Sequence, residues 1–299
     1  MEKVGGGKAN RHPSRFISRR TADAPGSVDD RRLGRPRMVV AFEGWNDAGD
    51  AASCALARLA RAWSATPFAE IDPEEFFDFT ATRPEVTVVE GMVREITWPA
   101  TVLSVAPGPV DVVTARGPEP QLHWRAYCDA FVELAGELHT ERVVMLGAYL
   151  DEVTHSRPVP LAVTGSDAAL LSGAGQVLSL YEGPTGIVGV LGAALSDAGI
   201  PTIAVWASVP CYSLPVSAKA ALALAEAATR LVGRPADLVQ LAGEARAYER
   251  RMDELVRENE TVAAYVARLN GSSDEVVAGA SAEGLSEEIE RYLRDEPPG

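Results

Sequence analysis

Apolar and polar positions alternate along most of this chain in runs that switch between the periods of buried strands and of amphipathic helices. Met38-Val39-Val40-Ala41-Phe42 is a continuous apolar run of the kind a strand buried on both faces requires. Glu43-Gly44-Trp45-Asn46 breaks it. From Asp47 onward Ala51, Ala52, Ala55, Leu56, Leu59 and Trp63 recur on one helical face, so strand, turn and helix form the first half of a βαβ unit. Residues 68–115 read as extended. Within them, 86–90 and 93–98 flank Gly91-Met92 as a hairpin, and 102–106 and 110–115 follow as strands. A helix over about 121–139 turns Trp124, Cys128, Phe131, Leu134, Ala135 and Leu138 inward.

Buried strands are expected at 142–146, 159–163 and 201–208, with helices reaching to Ala198 and over 217–232. Strands alternating with helices of this length predict an α/β fold: a three-layer sandwich with a mostly parallel central sheet covered on both faces. After Asp237 the pattern changes. Leu241, Ala245, Tyr248, Met252, Leu255, Asn259, Val262, Val266 and Leu269 repeat at spacings of four and three, predicting one long helix with Asn259 on its seam. That seam packs either on the body or against another subunit. Asp237 and Gln240 have capping-box spacing at its start. Residues 270–284 read as a flexible linker and Leu285, Ile289 and Leu293 as a short last helix, so 236–299 form a C-terminal helical region behind an α/β domain at 38–235.

Charge changes the picture at the N-terminus. Up to Arg37 there are ten basic and four acidic residues, whereas the whole chain carries −14, so the body is strongly acidic and repels nucleic acid and anionic membrane. Residues 1–37 hold few large apolar groups and are expected to be a disordered basic leader, or an over-extended start with Met38 as the true first residue. No apolar run of transmembrane length and no secretory h-region is visible. Cys54, Cys128 and Cys211 lie far apart, which argues against zinc and disulfides and for the cytoplasm. Three lysines against a wealth of arginine and alanine fit a GC-rich bacterial genome.

Candidate chemistry gathers where strands end. Glu43, Asp47 and Asp50 suit a divalent cation or acid–base work, but Asp47 also suits a helix cap and Asp50 a first helical turn. Gly183-Pro184-Thr185-Gly186 precedes a helix whose free N–H groups would suit a phosphate, although it lacks the Lys and Ser/Thr of a P-loop; such glycines also serve tight turns. Thr154-His155-Ser156-Arg157-Pro158 crowds a His, hydroxyls and an Arg into one loop, yet no G-x-S-x-G elbow exists, and Arg157 suits ordering the loop. Cys211 reads as structural.

Ala41-Phe42-Glu43-Gly44-Trp45-Asn46-Asp47-Ala48-Gly49 resembles the opening signature of the proteasome assembly chaperone 2 family. The resemblance continues through Gly117-Pro118-Glu119-Pro120 with Trp124, Thr154 to Val159, Tyr181 to Ile187, Gly199-Ile200-Pro201 and Trp206 to Pro210. It spans about 38–232 and implies a phosphorylase/hydrolase-like sandwich without an established catalytic set, cofactor or metal. It further implies a cytoplasmic, chaperone-like homo-oligomer, a trimer or tetramer of the actinobacterial branch, with proteasome α-subunits as partners. The candidate crevice or contact residues are Glu43, Trp45, Asn46, Asp47, Thr154, His155, Arg157, Tyr181, Gly183, Gly186, Trp206 and Tyr212. Two departures stand out. The chain ends Pro297-Pro298-Gly299 instead of in a hydrophobic–Tyr–any docking tail, and Val209-Pro210-Cys211-Tyr212 stands where bacterial relatives have Val-Pro-His-Tyr. The alternative function is a nucleotide or phosphate binder, or an enzyme, using the strand-end crevice.

Overall fold

Unbroken apolar runs can be strands only where both sheet faces are covered, and the computed structural model, which describes residues 13–19, 33–174 and 176–271, places them so. β2 (Arg37–Glu43), β7 (Val112–Pro118), β8 (Arg142–Asp151) and β11 (Thr202–Pro210) form the parallel centre of a nine-stranded sheet. β1 (Ile17–Arg19), β3 (Thr66–Ile71) and β6 (Thr101–Ala106) extend it antiparallel beyond β7. β9 (Leu161–Gly165) pairs antiparallel with β11, and β10 (Val177–Leu178) closes the opposite edge. The expected hairpin forms a separate two-stranded sheet of β4 (Glu85–Val89) and β5 (Met92–Thr97).

Alternate residues of each central strand serve opposite cores. Val39 and Ala41 pack beneath α1 (Ala51–Ala62) and α5 (Ala218–Val232), whereas Met38, Val40 and Phe42 pack beneath α2 (Trp124–Glu137) and α4 (Ile187–Asp197). This is the three-layer α/β sandwich that the alternation of elements predicts. A short helix, α3 (Ala168–Ala174), escapes the sequence reading because it has only about two turns of pattern.

Two expectations need correction. Within the stretch read as a disordered leader, Pro13–Phe16 form a 3-10 turn and β1 pairs with β3; Phe16 is buried edge-to-face on Phe76, with ring centroids 4.9 Å apart. One aromatic side chain entering the core suffices to order a short polar segment. The second correction concerns the long helix, which is two: α6 (Val239–Glu258) and α7 (Glu260–Gly271). Asn259 adopts extended φ/ψ, and its Oδ1 accepts the Val262 N–H at 3.0 Å. It caps a new helix instead of setting a register on a seam. Asp237 likewise accepts from Val239, while Gln240 bonds Glu244, so no reciprocal capping box forms. Of the linker expected at 270–284, Asn270 and Gly271 end α7 instead; the rest of it and the last helix around Leu285 lie outside the described residues.

The seam itself packs on the body. Leu241, Tyr248, Met252, Leu255 and Val262 join the core shared by α1 and α5. Met252 is fully buried, so Met252→Ala is expected to cost about 2–5 kcal/mol of unfolding free energy. Urea melts at several protein concentrations check this: the cost should not depend on concentration, and a loss seen only on dilution would put the seam in a subunit contact.

Candidate functional site

The parallel strands deliver their following turns to one end of the sheet, where open α/β folds bind ligands. There the sequence blocks separated by up to 140 residues meet. Asn46, fully buried, donates from Nδ2 to Glu119 Oε1 at 2.8 Å, and the same carboxylate oxygen accepts the Ile187 N–H, the first of α4, at 2.8 Å. The Asn46 carbonyl accepts the Ala148 N–H at 2.8 Å, tying the turn after β2 to β8. Gly186 precedes α4 with extended φ/ψ, a conformation open to any residue; what it supplies is space. A Cβ there would stand 2.4 Å from Asn46 Oδ1 and 2.7 Å from Glu119 Oε1.

This hub bears on the phosphate reading of the Gly183–Gly186 turn. A helix N-terminus attracts an anion, and at α4 the anion is the chain's own Glu119. The Gly183–Gly186 turn is therefore a packed turn against an internal carboxylate. Glu119 was missed as a site residue although it stands inside Gly117-Pro118-Glu119-Pro120; that block was itself the signal.

Asp47 is 4% exposed and its Oδ1 accepts the Ala52 N–H at 2.6 Å and the Ser53 N–H at 3.2 Å, so it caps α1. Burial pushes its carboxyl above the ordinary value, against the opposing hydrogen bonds from Ser53 and Ala52. A raised carboxyl favours the fold in its protonated form, so that contribution is full at low pH and lost as pH rises from about 3.8 through the folded value. Asp47→Asn keeps an acceptor without a charge. It is expected to flatten the fall in stability over the acid range, as urea melts between about pH 4 and pH 7 would record. Glu43 points elsewhere: it pairs with Arg116 at 3.0 Å and lines a polar cavity of about 1000 Å³ between the hairpin and the sheet. Among the described residues, no group of three or more His, Cys, Asp or Glu is placed to hold a metal.

Beside the hub lies a crevice of about 840 Å³ whose walls include Trp45, Tyr149, Leu150, Tyr181, Pro184 and Trp206. Trp45 is 64% exposed and Tyr181 67%. Trp206 fits because Gly147 on the neighbouring strand has no side chain; a Cβ there would meet its ring at 2.5 Å. Gly183 also lines the crevice, where the Tyr181 hydroxyl donates to the Pro184 carbonyl at 2.9 Å. Tyr149, Leu150 and Gly147 went unmarked in sequence, since periodicity identifies a strand but not which residues project past its end.

Thr154, His155, Arg157 and Tyr212 form a second, separate cluster under α6. The Tyr212 hydroxyl accepts the His155 backbone N–H at 3.0 Å and lies 2.9 Å from His155 Nδ1, while His155 Nε2 is 3.1 Å from Asp253 Oδ1. Burial pushes the Tyr212 phenol up to about 12, so it keeps its proton at neutral pH and can donate to Nδ1. Lys219 Nζ donates to the carbonyls of His155 and Arg157 and pairs with Glu249 at 2.6 Å. The buried Thr154 hydroxyl is 3.4 Å from that of Ser156. These contacts fasten the loop after β8 to α5 and α6. Cys211 is buried, its thiol donating to the Asp151 carbonyl at 3.4 Å, and burial raises its pKa, in keeping with a structural thiol.

Residues 41–256 match the model of the PAC2 family. A PAC2 family protein from Streptomyces avermitilis is 44% identical, with a TM-score of 0.72 over 77% of this chain and 99% of that one. The Mycobacterium tuberculosis proteasome-assembly chaperone homologue Rv2125 is 41% identical, with a TM-score of 0.71 and the same coverage. PbaB of Pyrococcus furiosus, an archaeal proteasome activator, shares the fold at 16% identity and a TM-score of 0.62, over 80% of this chain and 98% of its own. No curated protein matches the chain. The strand-end blocks that converge here fall within the matched span, and the chain belongs to the PAC2 family.

Proposed function

We propose that this protein is a non-enzymatic, chaperone-like homo-oligomer of the cytoplasm that acts in assembly of the proteasome core, with α-subunits as its partners. The observation that carries the reading is how the polar groups at the strand ends are engaged. Asp47 caps α1, Glu119 caps α4 and holds Asn46, Glu43 pairs with Arg116, and His155 is held between Tyr212 and Asp253. Each serves the chain's own structure, and the crevice beside Asn46 and Glu119 is walled mainly by aromatic and apolar side chains, the chemistry of protein contact. The 41% identity to a mycobacterial proteasome-assembly chaperone homologue supports the same reading. Among the described residues no helix is long and apolar enough to cross a membrane.

Light scattering coupled to size exclusion, on the full chain alone and mixed with proteasome α-subunits, tests it. A homo-oligomer that moves into a larger joint species is the expected result; a protein that ignores α-subunits at every ratio would overturn the partner. A second reading rests on the volume of the crevice, which is that of a small-molecule site. Its aromatic walls and hydroxyls suit a neutral ligand better than a nucleotide.

A further inference from the structure

On the α1 side of the sheet, β2 and β8 are sealed by the apolar core, whereas β3, β6 and β7 form the floor of the cavity of about 1000 Å³ beneath the β4–β5 hairpin. The floor is polar. Register sets Glu70 beside Val102 and Val102 beside Arg116, with Ser104 beside Thr114 one step further along. Leu56, Ala57 and Ala60 of α1 supply an apolar side wall. Trp98, at the base of the hairpin, adds an aromatic surface, held edge-to-face on Phe79 with ring centroids 4.8 Å apart. The hairpin turns Glu85, Glu95 and Thr97, which share one of its faces, into the cavity. Burial of apolar surface does not account for that aim, because Val86 and Ile96 on its other face stay exposed.

Two observations point to a ligand here. The first is charge. Glu70, Asp72 and Glu74 from the sheet edge and Glu85 and Glu95 from the hairpin surround the cavity, and among the described residues none of the five forms an ion pair. Arg83 is the single guanidinium opposite them, since Glu43 and Arg116 neutralise each other. Carboxylates facing one another across a gap repel, so this arrangement lacks a cation. The second is Thr114, 4% exposed, on the floor between the oppositely directed Val113 and Ala115. Its hydroxyl has no hydrogen-bond partner among the described residues. Buried hydroxyls are normally paired, and an unpaired one is a cost that valine would avoid at the same size. What it offers is an acceptor to a donor that enters the cavity.

We propose that this cavity binds a linear polyamine, whose ammonium groups bridge the sheet-side and hairpin carboxylates and reach the Thr114 hydroxyl. Among the described residues no three carboxylates converge as metal ligands, so a compact divalent ion finds no cage of oxygens. A polyamine spaces its charges along a hydrocarbon chain instead. Its methylenes suit the α1 wall and an ammonium suits the face of Trp98. An unbranched chain also reaches the floor, where a protein surface resting on the rim does not. The site is independent of the proteasome partnership proposed above.

Titration calorimetry of the full chain with spermidine tests this, at about 0.15 M salt, where a Debye length of about 8 Å screens diffuse attraction to an acidic surface. Saturable binding of one spermidine per chain is expected, and no saturable binding of magnesium. Glu85→Gln with Glu95→Gln should weaken spermidine about tenfold. Glu226→Gln with Glu254→Gln removes as much charge from exposed positions outside the cavity and should leave the affinity unchanged. Thr114→Val should weaken spermidine about threefold without lowering the melting temperature of the free protein, a combination that a purely structural threonine would not give. Absence of saturable binding overturns the site. So does equal weakening in the two double variants, which would mean diffuse attraction, or binding of a tetralysine peptide in place of spermidine, which would give the cavity to a protein partner.

Discussion

Gly186→Ala is expected to lower the unfolding free energy by about 3 kcal/mol, although the glycine has φ and ψ that alanine adopts freely. The cost comes from space: the added methyl would sit 2.4 Å from Asn46 Oδ1, 2.6 Å from its Nδ2 and 2.7 Å from Glu119 Oε1. None of these can retreat cheaply. Asn46 is fully buried, and its carbonyl holds the turn to β8. Moving either side chain breaks the 2.8 Å bond between them, and moving Glu119 also uncaps α4. Gly243→Ala in α6 is the control, since a Cβ there meets nothing within 4 Å; it should gain about 0.5–1 kcal/mol from helix propensity and a stiffer unfolded chain. Urea unfolding of both variants separates space from propensity. Equal, small effects would mean that the hub relaxes and is no fixed point of the fold.

Glu119→Ala is expected to cost a similar amount, about 3 kcal/mol, by a different route. It removes one acceptor and strands two donors, the buried Asn46 amide and the Ile187 N–H. Glu119→Gln retains an acceptor of the same reach and gives up only the charge at the helix start, a loss of about 0.3–1 kcal/mol. The two variants should therefore differ by about 2 kcal/mol in urea or thermal melts. If glutamine were as damaging as alanine, charge would be the essential property and the carboxylate would have a role beyond satisfying these donors.

The layers of the fold were legible because they obey periodicity. Met38–Phe42 and Arg142–Leu146 read as strands buried on both faces and are so, and the α1 face of Ala51, Ala55, Leu56 and Leu59 is buried as its spacing requires. The failures have local causes that periodicity does not carry. Asn259 continues an apolar spacing, yet its side chain competes for a backbone N–H and splits the helix. Phe16 orders part of a polar leader by reaching Phe76, 60 residues away.

At the candidate site, the glycine turns and Trp45 were visible as residues whose partners were not. Glu119 completes the hub 73 residues from Asn46, a pairing that only the folded topology brings about. Twelve positions stood together as candidates in the sequence. The structure sorts them into a hub and crevice around Asn46, Gly186, Trp45, Tyr181, Gly183 and Trp206, and a clamp around His155, Tyr212, Thr154 and Arg157. Asp47 turns into α1, and Glu43 turns toward the hairpin cavity.

The central claim is that Asp47, Glu119, Glu43 and His155 at the strand ends are committed to the fold, so that the α4 N-terminus is already filled and the crevice beside it receives protein. Scanning calorimetry of the full chain with inorganic phosphate and with a nucleoside diphosphate tests this most directly. A ligand that binds only the folded state adds about 2.7 kcal/mol of stability at a hundred times its Kd, which no melting curve would miss. The melting temperature should stay where it is in both titrations; a saturable rise of several degrees with either anion would show an open anion seat and contradict the account.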